Sequence, residues 1–292
     1  MKRQVRMTSK SKPKPIFRFA PSPNGALHLG HAYSALLNHA LAKRAKNQLI
    51  IRVEDIDTTR CTPELEAKMF EDLAWLGIEW QEPVMRQSER FDTYKQALQT
   101  LEERDLIYPA FLSRSAIKDH ASASPNWPKD PDGAPLYPGL EKSWDVAKRN
   151  EAFAEGKPFS WRLDMEKALD LFPAEGAKAW GDVVLGRKEI PTSYHLAVVL
   201  DDAAQTISHI VRGLDLRAST PVHHLLQKVF NLPSPKTVHH RLITDDQGAK
   251  LSKSNKSTGL QNLRDQGASL DDILELISWD EREVDDIFSQ IT

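Results

Sequence analysis

The stretch from Phe17 to His31, FRFAPSPNGALHLGH, constrains the fold more than any other part of the chain. It opens on apolar, β-prone residues, Ile16, Phe17 and Phe19, and breaks at Pro21-Ser22-Pro23-Asn24-Gly25. A helical pattern then starts at His28 and runs to Lys46, with Leu29, Ala32, Ala35, Leu36, His39, Ala40 and Lys43 near helical spacing. Gln48 to Val53 (QLIIRV) reads as a second strand and ends in the acidic cluster Glu54-Asp55-Ile56-Asp57. Strand, helix and strand within about 40 residues form a βαβ unit, and that unit implies a parallel sheet. Ligands of such sheets bind beyond the carboxyl ends of the strands. Ser22 and Glu54 both fall there.

A helix start carries unpaired N–H groups and the positive end of the helix dipole, so it suits a phosphate. His28 and His31 are three apart, which predicts a shared helix face, and Gly30 between them permits close approach to the backbone. Imidazole N–H groups donate to phosphate oxygens without much fixed charge. A metal pair or a helix cap would use the same residues. Far along the chain, Lys250-Leu251-Ser252-Lys253-Ser254 puts two lysines and two serines in a polar loop. Alone it reads as a solvated lysine loop before it reads as a phosphate clamp. Together the two segments suit opposite halves of one α/β active site.

The rest of the chain supports a large soluble α/β protein. At 292 residues and 40% hydrophobic content it accommodates one domain with an insertion, or two domains. The net charge of −2 offers no global attraction for nucleic acid, so any basic surface is local. The single cysteine, Cys61, excludes a disulfide framework or a multi-cysteine zinc site. Residues 1–14 are basic and proline-containing, without the apolar block of a signal peptide, and read as a solvated tail. A cytoplasmic location is expected.

Thr62-Pro63-Glu64 predicts a helix that stops at Gly77, and a further helix is expected from Ser88 to Asp105. From Tyr108 to about Ala177 eight prolines break the pattern, which predicts an inserted subdomain of short elements. Asp182–Leu185 and Lys188–Ile190 around Gly186-Arg187 predict a β-hairpin, and Thr206–Val211 and Val238–Thr244 predict strands flanking a helix over 220–230. YHLAVVLDD (Tyr194–Asp202) is ambiguous between helix and strand, and room for one small helical segment is expected after the lysine loop.

These segments carry a specific resemblance. HLGH resembles the HIGH signature, and KLSKS the KMSKS signature, of class I aminoacyl-tRNA synthetases. With RFAPSPNGALHLGHA, RVEDIDTTR, YHLAVVLDD, HIVRGLDL and GAKLSKS, the chain is similar to the glutamyl-tRNA synthetase branch over about residues 15–105 and 178–262. Within that branch it most resembles the truncated members that attach glutamate to the queuosine base of tRNA(Asp). The resemblance implies an α/β fold: a Rossmann-type parallel-sheet catalytic domain with an inserted α+β subdomain. Its halves would be 15–107 and 178–262, the latter with the KLSKS loop. The insert, resembling an acceptor-binding subdomain, would be 108–177, and a short helical segment would be 263–292. No anticodon-binding domain is expected, because the residues after Ser254 are too few for a domain of about 100–150 residues.

The resemblance also implies roles. Arg18, Phe19, Ala20, Pro21 and Ser22 would meet glutamate at a strand end; Glu54 would hold its ammonium, Tyr194 would hydrogen-bond a carboxylate, and Arg212 would fork onto one. His28, Gly30, His31 and Lys253 would bind ATP with its Mg²⁺. His28, His31, Lys250 and Lys253 would stabilise charge in the transition state. Implied partners are L-glutamate, ATP and queuosine-bearing tRNA(Asp), with tRNA(Glu) as the alternative acceptor and a monomer as the working state. A catalytically inactive RNA-binding module is a further alternative. Relatives often hold zinc in the insert through cysteines and a tyrosine. Here Tyr108–Arg114 and Tyr137–Lys142 contain no cysteine, so no zinc is expected and the insert must hold its shape by packing, with Trp127, Tyr137, Trp144 and Trp161 as candidates. The adjacent pairs His223-His224 and His239-His240 read as ordinary helix and strand residues.

Overall fold

A computed structural model of the chain describes residues 13–244 and 259–291. The chain opens with strand β1 (Arg18–Phe19) and helix α1 (Leu29–Arg44), followed by β2 (Leu49–Val53), α2 (Pro63–Trp75) and β3 (Trp80–Arg86). β1 pairs with β2 and β2 with β3, all parallel, as the βαβ reading required. α2 is capped by Thr62, whose hydroxyl accepts from the Leu65 amide at 3.4 Å, and it ends at Gly77 with φ +69°. The strand β3 was not legible in WQEPVMR, a mixed polar segment with a central proline; its place is given by pairing along β2 rather than by hydrophobic alternation.

A 3₁₀ turn at Gln87–Arg90 leads into α3 (Phe91–Glu103), which buries Tyr94, Leu98 and Leu101 on one face. The insert then begins with β4 (Ile107–Ala110), α4 (Arg114–Ser122), α5 (Val146–Ala154), β5 (Ser160–Leu163) and α6 (Met165–Leu171). Its antiparallel sheet is completed by β6 (Val184–Arg187), which pairs with β5 and so lies beyond residue 177. The expected hairpin within 182–190 does not form. Gly186-Arg187 belongs to the strand itself, and the chain turns after it, with the Arg187 amide donating to the Ile190 carbonyl at 2.8 Å.

The four aromatic candidates all pack in the insert. Trp144 stacks on Phe111, Trp161 joins Phe153 and Phe159, Trp127 meets His120 edge-on, and Tyr137 lies against Tyr108. The two segments without cysteine are tied by hydrogen bonds instead. Buried Glu141 accepts from the Tyr137 hydroxyl at 2.7 Å and from the Phe111 amide at 3.0 Å, while the Leu112 amide donates to the Tyr137 oxygen at 3.4 Å.

YHLAVVLDD resolves as α7 (Tyr194–Ala204), capped by Ser193, and β7 (His209–Gly213), α8 (Thr220–Val229) and β8 (Lys236–His240) follow. β7 and β8 are parallel, and Phe17 bridges His209 in parallel. The catalytic sheet therefore reads β3-β2-β1-β7-β8. Its order reverses at β1, where an open α/β sheet forms a crevice beyond its strand ends. Three helices close the chain, α9 (Leu260–Asp265), α10 (Leu270–Leu276) and α11 (Glu281–Ile291), where one small helical segment was expected. Ile273, Val284, Ile287 and Ile291 bury into the same core as α1, and Arg44 of α1 pairs with Glu281 and Asp285 at 2.8 Å. Short helices with polar faces hid this coverage from a periodicity reading. Among the described residues, no helix is long and apolar enough to cross a membrane.

Candidate active site

Sequence-predicted residues converge in one cleft of about 270 Å³ at the strand reversal. Arg18, Phe19, Ala20, Pro21, Ser22, His28, Gly30, His31, Glu54, Tyr194 and Arg212 all line it, together with Asp215 and the segment His240–Ile243. Lys250 and Lys253 lie outside the described residues. Parallel pairing explains the convergence. β1 delivers Ala20–Ser22, β2 delivers Glu54, β7 delivers Arg212 and β8 delivers His240, each at its carboxyl end. The buried side chain of Asn38 pins α1 to this end of the sheet by donating to the carbonyls of Ser34 at 2.8 Å and Val211 at 3.0 Å.

The histidine pair is built differently from the sequence expectation. Helix α1 begins at Leu29, and His28 is its extended N-cap (φ −130°, ψ 174°), so the two rings do not share a helix face. They meet through a reciprocal cap. The Gly30 amide donates to His28 Nδ1 at 3.1 Å and the His28 amide donates to His31 Nδ1 at 3.2 Å, which brings the ring centroids to 3.9 Å. Because both Nδ1 atoms accept, the proton of each neutral ring sits on Nε2. That tautomer gives the helix start two imidazole donors beside its own amides. A Cβ at Gly30 would lie 3.0 Å from the His28 ring, so the glycine is needed for the cap as well as for close approach.

Behind the histidines lies a buried charge cluster. Asp202 of α7 accepts from Arg52 Nη1 at 2.7 Å and from Arg18 Nε at 3.3 Å, and Arg52 Nη2 reaches Glu54 at 3.2 Å. Burial works to raise the Asp202 carboxyl, but Arg52 and Arg18 hold it below the usual carboxylate range. Burial pushes the Glu54 carboxyl up, against the pull of Arg52 and Arg18. Glu54 thus pairs with Arg52 and lines the cleft at once.

Arg212 differs from the other two arginines. It is 5% exposed, and its partners are all neutral: Nη1 donates to the Tyr194 hydroxyl at 3.0 Å and to His223 Nδ1 at 3.2 Å, Nη2 to Thr220 Oγ1 at 2.9 Å, and Nε weakly to His239 Nε2 at 3.5 Å. No carboxylate pairs with it among the described residues. Among the described residues, Arg18 and Arg52 are thus answered by Asp202 and Glu54, while Arg212, sheltered from water, has no carboxylate of its own. A buried charge without a counter-ion is costly unless a ligand supplies one. One Nη2 proton and the Tyr194 O–H remain to grip such a ligand. A carboxylate entering here would therefore meet Arg212 through one Nη2 proton beside the Tyr194 hydroxyl.

Sequence reasoning missed Asp202, Thr220, His223 and His239 as parts of this site. Asp202 stands in the quoted YHLAVVLDD run and carried no signal of its own. His223 and His239 were read as ordinary helix and strand residues; they face Arg212, a partner distant in sequence. A second cavity, of about 430 Å³, opens on the other side of Tyr194 and His195, between α7 and the insert. Arg114, Lys118, Arg162 and Arg187 give it a basic wall, and Trp180 and Tyr137 give it an aromatic one. Among the described residues, no three His, Cys, Asp or Glu side chains converge as metal ligands.

A strand-end cleft with a capped histidine pair at a helix start suits a nucleotide phosphate. The family model for the catalytic domain of class I tRNA synthetases (E and Q) matches residues 16–290, and the chain belongs to that family. It is 43% identical over 279 residues to the glutamyl-Q tRNA(Asp) synthetase of Rhodobacter capsulatus, covering 90% of this chain and 99% of that one. Identity to the glutamyl-Q tRNA(Asp) synthetase of Nocardia farcinica is 36%, covering 89% of this chain and 83% of the other. A glutamate–tRNA ligase of a Synechococcus species is 32% identical, and there the match spans 93% of this chain but 58% of the relative. Among solved structures, a glutamate tRNA ligase from Elizabethkingia meningosepticum in complex with its amino acid superposes with a TM-score of 0.69 at 25% identity, covering 88% of this chain and 54% of that one.

Proposed function

We propose that this chain activates L-glutamate with ATP and transfers the glutamyl group to the queuosine base of tRNA(Asp). The observation that carries the first half is that Arg212, buried at the cleft, meets only neutral partners among the described residues. That positive charge complements glutamate, which brings one ammonium and two carboxylates. Glu54 holds the ammonium. Arg212 Nη2 and the Tyr194 hydroxyl hold the side-chain carboxylate. The α-carboxylate is left to face the nucleotide over His28, Gly30 and His31.

The α-carboxylate oxygen bonds to the α-phosphorus of ATP, the bond to the β-phosphate oxygen breaks, and pyrophosphate leaves. Nothing in this step needs a covalent nucleophile from the protein; positioning and charge neutralisation lower the barrier. The Nε2–H groups of His28 and His31 and the amides of the α1 start donate to phosphate oxygens. Lys253 and Lys250, which lie outside the described residues, would add positive charge to this step. Mg²⁺ carried in with ATP as part of the substrate would supply neutralising charge to its phosphates. A hydroxyl of the queuosine ring then attacks the activated carbonyl carbon, loses its proton, and releases AMP. The basic and aromatic cavity beside Tyr194 is where the acceptor nucleoside would lie.

The second half rests on the relatives: those covered over most of their length are glutamyl-Q tRNA(Asp) synthetases, whereas glutamate–tRNA ligases are matched over little more than half. Labelled glutamate supplied with ATP is expected to enter tRNA(Asp) that bears queuosine, and neither queuosine-free tRNA(Asp) nor tRNA(Glu). Incorporation into tRNA(Glu) alone, or into no tRNA, contradicts the acceptor assignment.

A further inference from the structure

Behind Arg212 runs a chain of two imidazoles that the proposed chemistry does not use. His223 Nδ1 lies 3.2 Å from Arg212 Nη1, and His223 Nε2 lies 3.2 Å from His195 Nδ1. His223 is 4% exposed, on the buried face of α8, while His195 stands on the first turn of α7 and lines the second cavity. Trp180 packs edge-on against His195, with ring centroids 5.5 Å apart, and Tyr194 packs against both imidazoles.

The direction of this chain is fixed by chemistry. A guanidinium has donors only, so His223 Nδ1 must accept. His223 is then neutral with its proton on Nε2, which must donate to His195 Nδ1. His195 in turn is neutral with its proton on its own Nε2. Protonating His223 would set an N–H against the guanidinium N–H. Burial agrees with this assignment: it pushes the His223 imidazole well below its ordinary value, helped by His195 and Arg212, and pushes His195 down to about 4. The Nη1 edge of Arg212 therefore leans on a lone pair whose presence is enforced from two residues away.

We propose that His223 is a positioning residue for Arg212, with His195 locking its tautomer, so that the imidazole pair sets how tightly the cleft holds the side-chain carboxylate of glutamate. The proposal rests on the glutamate reading of the cleft. Without His223 Nδ1, one buried Nη1 proton loses its partner and the guanidinium is free to turn away from the Tyr194 hydroxyl. Because the imidazoles touch neither the helix start nor the nucleotide side of the cleft, their loss acts on glutamate binding and not on ATP.

Glutamate-dependent ATP–pyrophosphate exchange tests this. The wild-type chain is measured first; absence of exchange there defeats the glutamate reading itself, whatever the variants do. With wild-type exchange in hand, His223→Leu is expected to raise KM for glutamate about tenfold or more, the effect of losing one buried hydrogen bond to a charged group. KM for ATP and kcat at saturating glutamate should stay within about twofold on that same one-contact expectation. His223→Asn, which restores an acceptor near the Nδ1 position, is expected to recover most of the lost affinity. His195→Leu leaves every Arg212 hydrogen bond in place and removes the acceptor of the His223 proton, with a leucine side chain in place of the ring against Trp180 and Tyr194. It is expected to raise KM for glutamate about threefold, a second-order effect of the same kind. An unchanged glutamate KM in a folded His223→Leu protein, or an equal loss against ATP, overturns the proposal. Should that variant fail to fold, an unchanged glutamate KM in His195→Leu overturns it.

Discussion

The catalytic cleft and the insert each contain a buried cluster of arginine or lysine with carboxylates, and the two clusters are finished differently. In the insert, Lys142 reaches Asp164 and Asp182 at 2.9 Å, the Tyr108 hydroxyl donates to Asp182 at 2.6 Å, and Arg162 donates to the Asp182 carbonyl at 2.6 Å while lying 4.1 Å over the Tyr137 ring. Glu141 is filled by Tyr137 and the Phe111 amide. Lys142, Asp164 and Asp182 answer one another there, while Arg162 and Glu141 are met by neutral groups of the insert. In the cleft, Arg18 and Arg52 are answered by Asp202 and Glu54, and Arg212 is met only by neutral acceptors. Lys142 with its two carboxylates ties the insert together, whereas Arg212 lines a cleft with a donor to spare for a ligand.

The widest separation between the two should come from single charges. Arg212→Leu is expected to lower kcat/KM for glutamate in ATP–pyrophosphate exchange by about 10²–10³-fold, since it removes a charge-assisted contact in a sheltered site. Retention of activity within threefold or so would break the comparison. Glu54→Gln comes next, with a loss of about 10–100-fold seen mainly in KM, because an amide keeps the shape but not the charge that meets an ammonium. Glu141→Leu should do the reverse. It leaves the Phe111 amide and the Tyr137 hydroxyl without their acceptor and is expected to cost about 1–3 kcal/mol of stability in denaturant unfolding. Exchange activity should be unchanged by it.

The smallest effect expected is one of pH. Burial holds His195 down to about 4 and His223 well below its ordinary 6.5, so the unfolded chain takes up protons that the folded chain refuses. The stability tied to these neutral imidazoles is complete above about pH 6.5 and declines as pH falls toward 4. Unfolding free energies measured across that window should slope less steeply in His195→Leu than in the wild type. Equal slopes would mean that the imidazole pair is not held neutral by the fold.

How far this could be read in advance varied with the kind of signal. The βαβ unit and the strand-end placement of Ser22 and Glu54 follow from apolar runs, turn residues and the rule for parallel sheets, and the structure has them in register. α2 follows from Thr62-Pro63 in the same way. β3 did not follow, because a mixed polar segment takes its strand conformation from its neighbour in the sheet. The three closing helices are short, and only their packing on α1 reveals them. The residues that touch the cleft were legible through the resemblance of their motifs. Asp202 and His223 were not, because each is defined by partners far away in the chain: Asp202 by Arg18 and Arg52, and His223 by Arg212. Pairing across such distances leaves no local pattern. The capped geometry of His28 and His31 was half legible, since their spacing of three serves a capping box as well as a helix face.

Arg212, without a carboxylate partner of its own, is proposed to seat the side-chain carboxylate, and glutamate and glutamine differ by that group's charge. The direct measurement is therefore the ratio of kcat/KM for L-glutamate to that for L-glutamine in ATP–pyrophosphate exchange, in the wild type and in Arg212→Leu. The account predicts a strong preference for glutamate in the wild type that collapses toward unity in the variant. A wild type indifferent between the two amino acids, or a variant that keeps the full preference, would contradict it.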